Sequence, residues 1–169
     1  MTRAHRSPVS RATVGVYASL KRLLTPRSGR TKSPGYPGDF EGRFDIEYSP
    51  KADAKPDPGE VVWTWVPFEE DHSHGKDRPV LLIGHDGEWL LALMLTSKDH
   101  DRDVAAEAHW GRQWMDIDTG AWDRQGRQSE VRLDRIVRVD PAAVRREGAI
   151  LKQSLYEEVS RSLIACHHW

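Results

Sequence analysis

Gly59-Glu60-Val61-Val62-Trp63-Thr64-Trp65-Val66-Pro67 opens, and Leu93-Met94-Leu95-Thr96-Ser97 closes, the stretch whose reading decides the fold. Between them lie a polar loop, Phe68 to Asp77, and the run Arg78-Pro79-Val80-Leu81-Leu82-Ile83-Gly84. The apolar runs are too short for helices and rich in β-formers, so they read as strands over 60–66, 80–85 and 88–96. Asp86-Gly87 joins the last two as a hairpin, because both positions of such a turn need positive φ. In strand 60–66, Val61, Trp63 and Trp65 alternate with Val62 and Val66. Both faces of that strand are apolar and require cover, in a small barrel or at a dimer contact.

Downstream, residues 98–128 are polar, with Trp110, Trp114 and Trp122 scattered among Gly, Asp and Arg. This insertion has room for a short extra strand, with turns near Asp118-Thr119-Gly120 and Asp123-Arg124-Gln125-Gly126. Its tryptophans either glue it to the barrel, the favoured reading, or stack on bases. A strand follows over 129–139, and its period of two puts Arg132 and Asp134 on one face, away from Val131 and Leu133. Such a pair suits phosphodiester chemistry, and an exposed ion pair gives the same pattern. Asp140-Pro141 reads as an N-cap with proline in the first helical turn. Gly148 separates it from a main helix over 149–165, where Leu151, Leu155, Val159 and Leu163 form an apolar stripe.

Upstream, residues 1–58 read as a basic extension, disordered or partly helical. Val14, Tyr17, Leu20 and Leu24 stand near helical spacing, and Pro34, Pro37, Pro50, Pro56 and Pro58 mark a linker without a core of its own. A translation start further downstream would equally explain this segment. With 169 residues, 38% hydrophobic and 30% charged, and a mean hydropathy of -0.67, the chain holds one domain plus extensions. Cys166 is the lone cysteine, which excludes an internal disulfide and fits a reducing cytosol. No apolar run reaches the roughly twenty residues of a membrane span. The expectation is a cytoplasmic protein without membrane contact. A net charge of -1 does not announce a nucleic-acid binder.

The loop Glu69-Glu70-Asp71-His72-Ser73-His74-Gly75-Lys76-Asp77-Arg78 concentrates groups that do chemistry. Its histidines titrate nearest neutral pH, and the planar fork of Arg78 suits phosphate. His72 and His74 are close enough to suggest a metal, but no third ligand has the spacing of a recognised zinc site. Thr96 and Ser97, ending their strand, either bond a phosphate or simply close the strand.

In order and spacing these blocks resemble the MazF/PemK (Kid-like) toxins of type II toxin–antitoxin pairs. The resemblance rests on the Gly-acid-aliphatic-aliphatic-Trp opening, Arg78-Pro79 before aliphatics, the Thr96-Ser97 strand end, and Ser129-Glu130-Val131-Arg132-Leu133-Asp134-Arg135-Ile136. It covers roughly residues 59–160. It implies a mainly β, SH3-like barrel of the CcdB/MazF/PemK type with a C-terminal helix over 59–169. It also implies a homodimer silenced by a cognate antitoxin. The implied activity is a metal-independent, sequence-selective endoribonuclease on single-stranded RNA, with no cofactor. The ribose 2′-hydroxyl attacks the adjacent phosphorus, leaving a 2′,3′-cyclic phosphate and a 5′-hydroxyl. By resemblance Arg78 and Thr96 grip the phosphate, Asp134 is the base, and Arg132 is the proton donor or charge stabiliser, with His74 a competing donor. His72, Lys76, Ser97, Ser129 and Arg135 are the implied RNA-binding residues. The sequence departs from the pattern in three places: Lys76 and Asp77 both separate Gly75 from Arg78, Arg135 replaces a usual glutamine, and Asp77 stands ready to neutralise Arg78. The rival reading is a non-catalytic module on the same barrel that binds DNA, RNA or a protein, as CcdB binds gyrase.

Overall fold

Six strands form one antiparallel sheet in the computed structural model, which describes residues 35–97 and 111–169. In chain order they are β1 (Glu60–Pro67), β2 (Gly75–Asp86), β3 (Trp89–Thr96), β4 (Trp114–Asp116), β5 (Glu130–Val139) and β6 (Arg146–Ile150). Their spatial order is β4-β5-β3-β2-β1-β6, and one helix, α1 (Gln153–His167), packs on the curled sheet. The architecture is the expected one, mainly β with a C-terminal helix. The expected helical segment near residues 12–24 and Trp110 lie outside the described residues.

The central hairpin forms at its sequence signal, but its turn lies one residue on: Asp86 pairs with Trp89, so Gly87 and Glu88 make the turn, and only Gly87 takes positive φ, at 61°. The alternation in β1 sorts its side chains into two cores. Val61 joins Leu81, Leu93, Val131 and Leu163 on the helix side, and Val62 and Val66 join Val80, Leu82, Met94 and Val137 on the other. All of these are buried within the chain. The helix contributes Tyr156, Val159 and Leu163, a three-then-four spacing that keeps them on one face.

Three further expectations change. The helix expected from residue 149 begins at Gln153, and residues 146–150 instead pair with β1 as an edge strand. Asp140 does act as a cap, accepting from Ala142 N at 2.9 Å, but the proline turn it caps is a 3-10 turn over Pro141–Ala143. The linker expected over 33–58 is, from Gly35 onward, laid against the sheet. Phe40, Phe44, Ile46 and Tyr48 pack on the helix-side core, and Glu47 N–H donates to Ile83 O at 3.0 Å. Tyr156 hydroxyl donates to the carbonyls of Glu47 and Ile83, and Tyr48 hydroxyl to Leu151 O. A Cβ at Gly84 would lie 2.8 Å from both Asp45 O and the Phe44 ring, so the segment's close approach depends on that glycine.

The irregularity that matters most for function lies in β5. Leu95 pairs with Val131, yet Leu93 pairs with Ile136, so residues 132–135 bulge away from β3. Trp114 pairs with Arg132 on the other side, and Gln113 O accepts from Leu133 N at 2.8 Å. A bulge re-aims the side chains it carries.

Candidate functional site

A cleft of about 150 Å³ opens where the beginning of β2 meets the end of β3. Asp77, Arg78 and Pro79 line it from β2, and Leu95, Thr96 and Ser97 from the end of β3. Trp63, Trp122, Asp123, Arg127 and Ser129 complete it. Val80 pairs with Met94, and Arg78 and Thr96, each two residues further along its strand, line the same cleft. Thr96 in turn pairs with Glu130, a buried carboxylate.

Arg78 is half-buried, and its guanidinium makes no hydrogen bond or ion pair with the described residues. Burial holds its pKa below the usual arginine value, and the neighbouring charge of Arg135 lowers it further. Asp77, the residue adjacent to it, is engaged elsewhere: Arg145 Nη1 donates to its Oδ2 at 2.6 Å. The neutralisation of Arg78 by Asp77 expected from adjacency in sequence does not occur, because successive strand residues face opposite ways. The result is a partly desolvated cation beside hydroxyls, with no ion-pair partner among the described residues.

Arg132 and Asp134 come together as expected, but in a closed network. Arg132 Nε donates to both Asp134 oxygens at 3.0 and 3.1 Å, and Nη2 donates to Oδ2 at 2.6 Å. Its Nη1 donates to Glu69 Oε2 at 2.9 Å, tying the β1–β2 loop to β5. Gln113 N–H adds a further bond to Asp134 Oδ1 at 2.8 Å. The Arg132 side chain is 5% exposed. Burial alone would lower its pKa, but its bonds to Asp134 and Glu69 outweigh that and raise it above the usual arginine value. A guanidinium held this way is a poor proton donor, so the donor role implied for Arg132 does not suit its surroundings. Asp134 accepts on both oxygens. Neither residue lines the cleft.

The remaining implied residues are dispersed. His74 is exposed, with Nδ1 2.8 Å from Asp71 Oδ2 and 3.0 Å from Ser73 Oγ. Asp71 is drawn down to about 2, first by the Ser73 hydroxyl, then by the Ser73 amide and His74. His72 meets Tyr36 edge-on at 4.9 Å, so the two loop histidines have different partners and do not converge. Lys76 Nζ sits 5.8 Å from the Phe68 ring centroid. Arg135 is buried against Asp39, with Nε to Oδ2 at 2.6 Å. Ser97 and Ser129 do line the cleft.

Sequence reasoning did not single out Glu69, Asp39, Asp123 or Arg127. The first two meet arginines that lie 63 and 96 positions away in the chain. Asp123 and Arg127 carried a local signal, an acid before a glycine turn with an arginine four residues on. Trp122 glues this loop to the barrel: its Nε1 donates to Ser129 Oγ at 3.0 Å, and its carbonyl accepts from Trp63 Nε1 at 2.9 Å.

A family model described as the PemK-like, MazF-like toxin of type II toxin–antitoxin systems matches residues 57–166. The chain belongs to this family. Among solved structures, a chain of the MazE–MazF crystal structure (form II) from Deinococcus radiodurans aligns at 19% identity. The alignment covers 67% of this chain and 96% of that one, with a TM-score of 0.45. The Mycobacterium tuberculosis toxin MazF-mt6 aligns at 12% identity over 64% of this chain and 96% of its own, with a TM-score of 0.43. No curated protein matches. Among the described residues of the toxin, no helix is long and apolar enough to cross a membrane.

Proposed function

We propose that this toxin is a metal-independent endoribonuclease that cuts single-stranded RNA by attack of a ribose 2′-hydroxyl on the adjacent phosphorus. The bond that breaks is from phosphorus to the 5′-oxygen, and the products carry a 2′,3′-cyclic phosphate and a 5′-hydroxyl. The observation that supports this reading is the half-buried Arg78 guanidinium, without an ion-pair partner among the described residues and lining one cleft with Thr96 and Ser97. Charge developing on the non-bridging oxygens is stabilised best by a cation that is already desolvated and needs no reorganisation. Thr96 and Ser97 supply hydroxyls to the same phosphate. Arg132 and Asp134 act beside this centre, holding Glu69 and the β1–β2 loop against β5. In this reading the protein works as a cytoplasmic homodimer whose partner is a cognate antitoxin. A monomer by light scattering of the free toxin would remove the dimer from it.

The test is digestion of a long unstructured RNA by purified toxin in excess EDTA, with end-group analysis. Cuts leaving cyclic phosphate, reduced about 10²–10³-fold by Arg78→Ala, are expected. Folded, antitoxin-free toxin that cuts none of many RNA sequences would replace the enzyme by a binding module of the gyrase-poison type.

A further inference from the structure

We infer that Arg127 is a base-reading residue, which takes the acceptor edge of a guanine next to the phosphate held by Arg78. The inference rests on the RNA reading above and adds to it a specificity determinant on the loop after β4. Three observations converge on Arg127: how it is held, what charge surrounds it, and where it lies.

Its guanidinium is fixed from one side. Asp123 Oδ2 accepts from Arg127 Nε at 2.7 Å, and Oδ1 accepts from Nη2 at 3.4 Å. Asp123 is itself immobilised by the amides of Gln125 and Arg127 at 3.0 and 3.3 Å. Its backbone closes the turn, with Gly126 N–H donating to Asp123 O at 3.0 Å and Gly126 at φ 62°. The loop is anchored one residue earlier, by the buried Trp122 bonded to Ser129 and Trp63. Gly120 is part of the anchor, because a Cβ there would lie 2.0 Å from the Trp122 ring. A planar fork locked by its inner edge leaves Nη1 and the outer edge of Nη2 to donate in a set direction. The Arg127 side chain is 53% exposed while Asp123 is 11% exposed, so the donors and not the carboxylate face the solvent.

Charge separates base from phosphate. Arg78 has no anionic partner among the described residues and suits a phosphate. Arg127 stands 2.7 Å from a carboxylate, and the pair is close to neutral, which removes the net attraction for an anion and favours a dipolar edge. Two adjacent acceptors, O6 and N7 of guanine, match two donors of an arginine fork. Single-stranded RNA leaves that edge unstacked and accessible. Both arginines line the one cleft, so a phosphate and a neighbouring base are read together.

The test measures binding of short, uncleavable 2′-deoxy single strands in which one guanine is moved through every position. The guanine at the preferred position is then replaced by 7-deazaguanine, which lacks the N7 acceptor. Wild type is expected to prefer guanine at one position by about 5- to 140-fold and to lose most of that preference with the deaza base. Arg127→Ala is expected to bind both bases equally. The inference is overturned if wild type shows no guanine preference, or if Arg127→Ala keeps it. A loss in Arg127→Ala that is uniform over all strands, with a salt dependence shallower by about one phosphate contact, overturns it in favour of a backbone contact. Because the strands are not cleaved, failure of the ribonuclease reading in EDTA is a separate result.

Discussion

Replacing Arg78 by methionine should stabilise the free toxin while removing its grip on phosphate. The guanidinium is half-buried, has no carboxylate within bonding distance among the described residues, and lies near the charge of Arg135. Its charged form is therefore worse solvated in the folded chain than in the unfolded one, and that deficit is a stability cost. Methionine keeps most of the length and the apolar stem, so the packing beside Pro79 and Thr96 is retained while the charge goes. Changes of this kind are worth about 0.5–2 kcal/mol, which for a chain of this size raises Tm by about 2–4 °C per kcal/mol. Urea unfolding at neutral pH should show a higher midpoint with an unchanged slope. Single-stranded DNA at 100 times its dissociation constant should add about 2.7 kcal/mol to the wild type, and nothing comparable to the variant. A methionine variant destabilised by 1 kcal/mol or more would refute the reasoning, since it would mean that Arg78 is held by a partner rather than left open for one.

Three further substitutions probe the framework of the fold. Asp134→Ala leaves Arg132 with Glu69, and should cost about 1–3 kcal/mol. Asp134→Ala with Glu69→Ala strands a buried guanidinium, and should cost about 3–5 kcal/mol, more than the two single losses together. Additive losses in urea unfolding would show that the network is two independent pairs. Gly84→Ala drives a Cβ to 2.8 Å from Asp45 O and the Phe44 ring, and should cost about 1–3 kcal/mol with faster proteolysis of the 35–58 segment. An unperturbed variant would mean that this segment contributes little to the fold.

Much of the core was legible because its signals are local. The hairpin at Asp86-Gly87, the two-sided apolarity of β1 and the helix stripe each follow from neighbours a few residues apart. The edge strand β6 was not legible. Ala149, Ile150 and Leu151 continue the helical stripe in sequence, and only the unpaired edge of β1 makes an extended conformation better. The segment from Gly35 to Pro58 was misleading for a related reason: its prolines and glycines describe a chain without its own core, which is compatible with lying on another.

For the candidate site, the sequence alone determined the residue types: Arg78 at the entrance of its strand, Arg132 and Asp134 on one face of theirs, and a polar loop between β1 and β2. Tertiary structure decided which charges are compensated. Asp77 goes to Arg145, Glu69 closes on Arg132, Asp39 on Arg135, and Arg78 lines the cleft without an ion-pair partner among the described residues. The physical reason is that a strand's period of two fixes direction from neighbours in the chain, whereas charge compensation depends on groups brought together from far along it. Arg78 and Asp77 touch in sequence and part in space; Arg135 and Asp39 lie 96 residues apart and share two hydrogen bonds.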